Sequence, residues 1–365
     1  MIPIADLAYL DVIVSGGQSN DKGRALKSTA PAPYLLPRTG ALVWRGLAEG
    51  AVALDVGEDG ESGNHYYPLV SPDDPVAQHG PEVGYIKAWE DDLDKPVVLM
   101  RYSIGGKAML AGAGALSGTG VFDPQENQIF YAFRREFEWM ARHISDTYSI
   151  GIRVAYARWC QGEADWSYLA PSNLGEYLAA LNRWITEVRK MAGNPALPVI
   201  IQLPNSYDFT SSNAAGNWVR YEQIQAAIEG TNIAVVTCSV VPIYGPDLNS
   251  VTTDGTHFNS EVQILEGVRC HQIYRDMVSA SPTPAPQPTN FQAVAINPTD
   301  ASFTWDDVGS REYIIYETTI GVVGTTNGTS ITISGLTTST AYVFRLYTHS
   351  IGWDLKYQEI SFSTP

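Results

Sequence analysis

Leu10-Asp11-Val12-Ile13-Val14-Ser15, followed at once by Gly16-Gly17-Gln18-Ser19-Asn20, decides how the larger part of this chain folds. The first six residues read as a buried strand, and Ser19 stands in the loop that opens behind it. Much later the chain reads Asp254-Gly255-Thr256-His257, an acid and an imidazole three residues apart. The two stretches hold the three groups of a serine nucleophile system: hydroxyl, base and orienting carboxylate. A serine hydroxyl is a poor nucleophile at neutral pH and must lose its proton as it attacks. His257 can take that proton if its other ring nitrogen donates to a fixed carboxylate, and Asp254 is near enough in sequence to serve. Taken singly, Ser19 reads first as a helix cap, and the alternative for Asp254 is a turn former before Gly255. Their pairing across one domain favours chemistry.

Outward from the first strand, apolar runs at 97–103, 152–158, 198–203 and 233–240 alternate with helical stretches at roughly 82–93, 128–147, 173–192, 217–229 and 260–278. Phe133, Phe137, Met140 and Ile144 recur at three- and four-residue spacing, as on one face of an amphipathic helix. Near-continuous apolar strands separated by helices predict a mostly parallel sheet covered on both sides, a three-layer α/β/α domain. In such sheets ligands bind beyond the carboxyl ends of the strands. Ser19, the pair Gly105-Gly106 and Gln161 each follow a strand by a few residues, so all three are expected on one rim. There the Ser19 backbone amide, an amide at Gly105 or Gly106, and the Gln161 side chain can face the negative charge of a tetrahedral intermediate. The nucleophile elbow of α/β-hydrolases needs glycine two residues beyond the serine, where this chain has Asp21. That fold is therefore disfavoured.

Composition narrows the partners. A net charge of −16, with no basic run interleaved with aromatics, argues against nucleic acid or an anionic membrane surface. No apolar stretch reaches the length of a membrane span, and no secretory leader is visible at the N-terminus. Cys160, Cys238 and Cys270 are scattered without metal-ligand spacing and are expected as buried free thiols. His79, His143, His271 and His349 are isolated and are assigned to no metal.

The segment 281–289 carries four prolines in nine residues and reads as a semi-rigid linker between a domain at 1–280 and another at 290–365. Beyond it, alternating β-rich segments separated by Gly, Asn, Asp and Ser turns predict a small all-β sandwich. With Trp305 in its second strand and Tyr342 as a tyrosine corner, this part resembles a fibronectin type III domain.

Four ordered blocks give the first domain a specific resemblance. Gly17-Gln18-Ser19-Asn20, the glycine pair 105–106, Gln161-Gly162-Glu163-Ala164-Asp165 and Asp254-Gly255-Thr256-His257 resemble the SGNH/GDSL hydrolase superfamily, and within it the sialate O-acetylesterase-like carbohydrate esterases. Gly80-Pro81-Glu82-Val83-Gly84 and Arg220 with Gln223 fit the same pattern over about residues 9 to 278. The resemblance implies Ser19 as nucleophile, His257 as base then acid, and Asp254 as its orienter. It also implies an oxyanion hole of Ser19, one of the two glycines and Gln161. Where the family continues its first block with methionine, this chain has Asp21-Lys22-Gly23, expected to alter the pocket wall. The contiguous Ser62-Gly63-Asn64-His65 is a coincidence of letters and is expected as an exposed loop.

Around these groups, Gln18 and Asn20 are expected to support the site or touch substrate. Glu163 and Asp165 read as braces for the glutamine loop before they read as catalysts. Glu82 reads as the start of a helix. Arg220 reads equally as a partner for a carboxylate near the site or as part of a solvated helix face. Trp166, Tyr168 and Tyr102 read equally as a sugar subsite or as core packing. The resulting expectation is an esterase that removes O-acetyl groups from a carbohydrate, with no metal or cofactor. The alternatives are a glycan-binding or structural surface protein on the same fold, and a lipid or thioester hydrolase. The fibronectin-like part suggests an extracellular setting. A bacteriophage tail, with other virion or cell-surface proteins bound through the C-terminal domain, fits the missing leader; a secreted bacterial enzyme is the rival.

Overall fold

The computed structural model describes residues 4–23, 25–26, 29–34, 38–44, 51–54, 78–111, 113, 121–126, 128–165, 168–169, 172–204, 214–236, 257–279, 288–308, 312–317, 321–326, 328–349 and 357–365. Ser62 to His65 and most of the proline segment lie outside the described residues, as do Cys238, Asp254 and Trp166.

The first strand, β1 (Tyr9–Gly17), is buried from Leu10 onward on both faces, as its unbroken apolar run requires. It lies at the centre of a seven-stranded sheet. A short ladder joins β2 (Ala25–Leu26) to β5 (Gln78–His79) apart from that sheet. The sheet itself is built of β3 (Arg38–Trp44), β4 (Ala51–Leu54), β6 (Val97–Ser103), β7 (Gly151–Cys160), β8 (Val199–Gln202) and β9 (Ile233–Val236) beside β1, in the order β4-β3-β6-β1-β7-β8-β9. Six strands run parallel, and only the edge strand β4 opposes its neighbour β3. The sequence reading did not anticipate β3 and β4. Strand β3 opens Arg38-Thr39-Gly40 and its pairing slips between Arg38 and Leu42, so it offers no continuous apolar run.

Helices cover both faces. Stacking of Trp89 in α2 (Glu82–Leu93) on Tyr274 joins that helix to the last helix of the domain, which spans Ser260–Val278, and Tyr156 of β7 packs on the same Tyr274. On the opposite face Trp159, three residues along β7, meets Trp184 at 4.5 Å between ring centroids, and Trp184 stacks on Phe133. Phe133 and Trp184 belong to α3 (Gln128–Tyr148) and α4 (Glu176–Met191). The remaining long helices are α5 (Ala214–Glu229) and α6 (Ser260–Val278), and a single turn, α1 (Ser19–Lys22), follows β1. This is the expected three-layer α/β/α architecture.

The C-terminal region is a sandwich of antiparallel sheets. One sheet joins β10 (Thr289–Asn297), β11 (Asp300–Asp306) and β14 (Ser330–Ile333). The other joins β12 (Glu312–Glu317), β13 (Gly321–Thr326), β15 (Ala341–His349) and β16 (Tyr357–Ser363). Phe303 from the first meets Phe344 from the second at 4.7 Å, and Trp305 packs on Tyr313 in the same core. The hydroxyl of Tyr342 accepts a 2.8 Å bond from the Thr337 amide, the geometry of a tyrosine corner.

Candidate active site

Strand register places the site. Gly17 is paired with Ser103 on one side and Cys160 on the other, so β6, β1 and β7 end level. The chain returns on opposite sides of β1 at this point, which opens a crevice over its carboxyl end. Gln18-Ser19, Ile104-Gly105-Gly106 and Gln161 therefore leave the sheet side by side. Backbone bonds hold them there, from Ile104 N to Gly17 O and from Gln18 N to Cys160 O, both 3.0 Å. A side chain at Gly17 would run into the Cys160 carbonyl, so this crossing admits only glycine. Gly106 sits at φ +69°, where a turn favours glycine. Ser19 opens α1 and is mostly buried, 8% exposed.

Beneath Ser19 lies a buried ionic cluster. Asp21, which stands with Lys22 and Gly23 where an altered pocket wall was expected, turns its carboxylate into the sheet. It accepts bonds from Ser15 Oγ at 2.6 Å, from Ser103 Oγ and from the Arg158 guanidinium. Arg101 donates to the Asp21 carbonyl at 3.2 Å and to Glu82 at 2.7 Å, and Glu82 also accepts from the Gly80 amide at 2.8 Å. Glu82 does begin α2, as expected, but its side chain belongs to this cluster. A single turn of chain beside Ser19 is thus tied to β1, β6 and β7 together. The signal for it was present, since Arg101 and Arg158 interrupt otherwise apolar strands.

The glutamine block is gripped from every side. Gln161 Nε2 donates to Asp165 at 2.5 Å, and more weakly to the Lys107 carbonyl at 3.2 Å and to Gln18 Oε1 at 3.3 Å. Its Oε1 accepts from the Tyr177 hydroxyl at 2.9 Å, and its backbone carbonyl accepts from Gln223 Nε2 at 2.6 Å. Asp165 accepts further bonds from the Met109 and Leu110 amides, so it braces both the glutamine and the loop after Gly106. Burial nonetheless pushes the Asp165 carboxyl up to about 6, the bonds it accepts notwithstanding. Tyr177 escaped the sequence reading, because a tyrosine inside a helix gives no sign of what it grips. Arg220 is buried on α5, which removes the solvated-face reading.

Asn20 joins the two ends of the domain. Its Oδ1 accepts from the backbone amide of Phe258 at 3.2 Å, its Nδ2 donates to Glu163 at 2.6 Å, and its carbonyl accepts from Gln263 at 3.3 Å. His257, half-buried, is the residue before Phe258, so the imidazole loop is anchored to the residue after Ser19. Burial raises the Glu163 carboxyl, while Asn20 and the neighbouring His257 favour its ionised form. Nearby, His79 bridges the Gly80 carbonyl and Ser260 Oγ, which marks it as a structural link. Asp254 lies outside the described residues. Tyr102 packs on Phe133 of α3, and Tyr168 is half-buried. Cys160 and Cys270 are buried and free, as expected. Among the described residues, no three His, Cys, Asp or Glu side chains gather at metal-ligand spacing.

The pattern described as "Carbohydrate esterase, sialic acid-specific acetylesterase" matches residues 9–276, and that of the fibronectin type III domain matches 286–363. Comparison with curated proteins found no match. Among solved structures, XAC1771 of Xanthomonas citri, titled a novel carbohydrate acetylesterase, is 13% identical. The match covers 96% of this chain and 78% of that one at a TM-score of 0.52. A protein of Arabidopsis thaliana, AT4G34215, is 18% identical over 72% of this chain and 97% of its own, with a TM-score of 0.49. NanS is 14% identical over 74% and 97%, also at 0.49.

Proposed function

Because the chain belongs to the carbohydrate esterase, sialic acid-specific acetylesterase family, we propose that it removes O-acetyl groups from a carbohydrate by a serine mechanism. Ser19 Oγ attacks the acetyl carbonyl carbon while His257 accepts the hydroxyl proton, with Asp254 orienting the imidazole. The negative charge on the carbonyl oxygen is held by the Ser19 amide, an amide at Gly105 or Gly106, and Gln161. The Gln161 hydrogen now shared over two long bonds is the one free to turn to that oxygen. Collapse of the intermediate breaks the ester bond, and His257 gives its proton to the departing sugar hydroxyl. Water then attacks the acetyl-enzyme, His257 takes its proton, and acetate leaves as Ser19 recovers its hydrogen.

The observation that carries this reading is the clasp of Asn20, which ties the loop of Ser19 to the backbone beside His257 and to the glutamine block at once. Ser19→Ala tests it: hydrolysis of p-nitrophenyl acetate should fall by roughly 10³-fold or more in protein that remains folded. Undiminished hydrolysis would refute the assignment. A binding protein without turnover would bind acetylated glycan and never release acetate. A lipid or thioester hydrolase would instead prefer long-chain nitrophenyl esters to acetylated xylan or acetylated sialic acid.

The same reading divides the chain into an esterase domain at 1–280, a linker at 281–289 and a sandwich at 290–365. An extracellular place of action fits a polysaccharide substrate and a fibronectin module, whether on a bacteriophage tail or in a secreted bacterial enzyme. The module is then the surface for other virion or cell-surface proteins. Among the described residues no helix is long and apolar enough to cross a membrane.

A further inference from the structure

We propose that the groove between α3 and α4 is a second carbohydrate site, one that holds an uncharged stretch of polysaccharide apart from the Ser19 crevice. The groove is open to solvent, has a volume of about 610 Å³, and lies wholly outside the catalytic residues. Tyr131 stands in it 57% exposed, in a helix whose phenylalanines Phe130, Phe133 and Phe137 are buried. An exposed phenol ring offers an apolar face to the C–H face of a sugar and a hydroxyl to its rim. The ring of Pro124 extends that apolar surface, and the exposed amides of Gln125 and Asn182 supply donor and acceptor pairs for neighbouring sugar hydroxyls.

Arg183 is already set for this role. Two parallel bonds to Asp123, at 2.9 and 2.6 Å, fix its guanidinium in one plane, so little freedom is lost when a hydroxyl binds its remaining hydrogens. The charge balance selects the kind of glycan. Arg183 is matched by Asp123, Arg134 by Glu138 at 3.0 Å and Lys190 by Glu187 at 2.6 Å. A groove with no surplus cation, on a chain of net charge −16, favours a neutral polymer over a polyanionic one.

Topology places the Tyr131 end of this groove toward the carboxyl ends of the sheet. Its Glu187 and Lys190 end runs toward the amino ends, since α4 ends at Met191 shortly before β8 begins at Val199. Helix α3 ends at Tyr148 and β7 begins at Gly151, so the C-terminus of α3 lies at the amino end of the strands. Its 21 residues rise about 31 Å, which carries Tyr131 in the first turn toward the carboxyl ends, where Ser19 lies. A polymer anchored there presents further acetyl groups to the crevice at a raised local concentration.

The proposal rests on the carbohydrate reading above, and its test separates the two. Wild type, Tyr131→Ala and Asn182→Ala are run through native gels containing acetylated glucomannan, acetylated xylan or polygalacturonate, and p-nitrophenyl acetate hydrolysis is measured in parallel. A neutral polymer should retard wild type, and Tyr131→Ala should bind it roughly tenfold more weakly. Its kcat/KM on p-nitrophenyl acetate should stay within about twofold of wild type. Equal retardation of wild type and Tyr131→Ala, no retardation of wild type by any neutral polymer, or retardation by polygalacturonate alone would overturn it. Retardation that depends on Tyr131 in a protein inert toward every ester would support this site and refute the esterase reading.

Discussion

Asn20 accepts a hydrogen bond from the amide of Phe258 at 3.2 Å, across 238 residues of chain. The same side chain donates to Glu163 at 2.6 Å, so one amide closes three separate blocks of sequence into one rim. Neither aspartate nor alanine can do both.

Asn20→Ala should therefore lower kcat on p-nitrophenyl acetate by about 10–100-fold with KM changed far less, because the losses fall on alignment rather than on binding. It also leaves the buried Glu163 carboxylate without this donor, at a cost of about 1–3 kcal/mol in stability. Steady-state kinetics and urea unfolding read the two effects, and unchanged kcat in a folded variant would contradict the clasp.

Asp165 links stability to pH with a definite sign. Its carboxyl is raised by burial from 3.8 to about 6, so between those values the folded protein keeps a proton that the unfolded chain has released. The stability it contributes is complete below 3.8 and is lost as pH rises through about 6. Asp165→Asn carries no such proton. The stability of wild type minus that of the variant should decline on the order of 2–3 kcal/mol from pH 4 to 6.5. A urea series showing a constant difference would dismiss this account.

The Asp21–Arg158 pair, both side chains 0% exposed, should behave as one unit. Asp21→Asn or Arg158→Met alone removes the nearest counter-charge of a buried group, although Glu266 still lies 3.9 Å from Arg158, and should cost about 3–5 kcal/mol. Asp21→Met combined with Arg158→Met should cost at least about 2 kcal/mol less than the sum of Asp21→Met and Arg158→Met alone. Strict additivity in chemical unfolding would show that the two groups do not act together.

The thiols should be inert. Burial raises Cys160 well above its usual range and pushes Cys270 up to about 12, so neither offers thiolate near neutral pH. Iodoacetamide at pH 8 should label neither residue in the native protein and both in urea, as mass spectrometry of peptides would show.

The central strands were legible for a physical reason. β1, β6 and β7 are covered on both faces, so Val12 to Val14, Val97 to Met100 and Val154 to Ala157 appear as apolar runs in any reading. Strand β3, between β4 and β6, carries no such mark, because it opens with Arg38-Thr39-Gly40 and its pairing slips before Leu42. Helix limits came within a few residues, as for α4, expected from 173 and observed from Glu176.

What the amino-acid order determined alone was the alternation of strand and helix and the chemistry available at each strand end, because burial period and residue type are local properties. The packing of Asp21 against Arg158, of Tyr177 and Gln223 around Gln161, and of Asn20 against Phe258 was decided only by the tertiary structure. Each joins positions distant along the chain, and a charged or amide side chain looks the same in sequence whether water or a buried partner satisfies it.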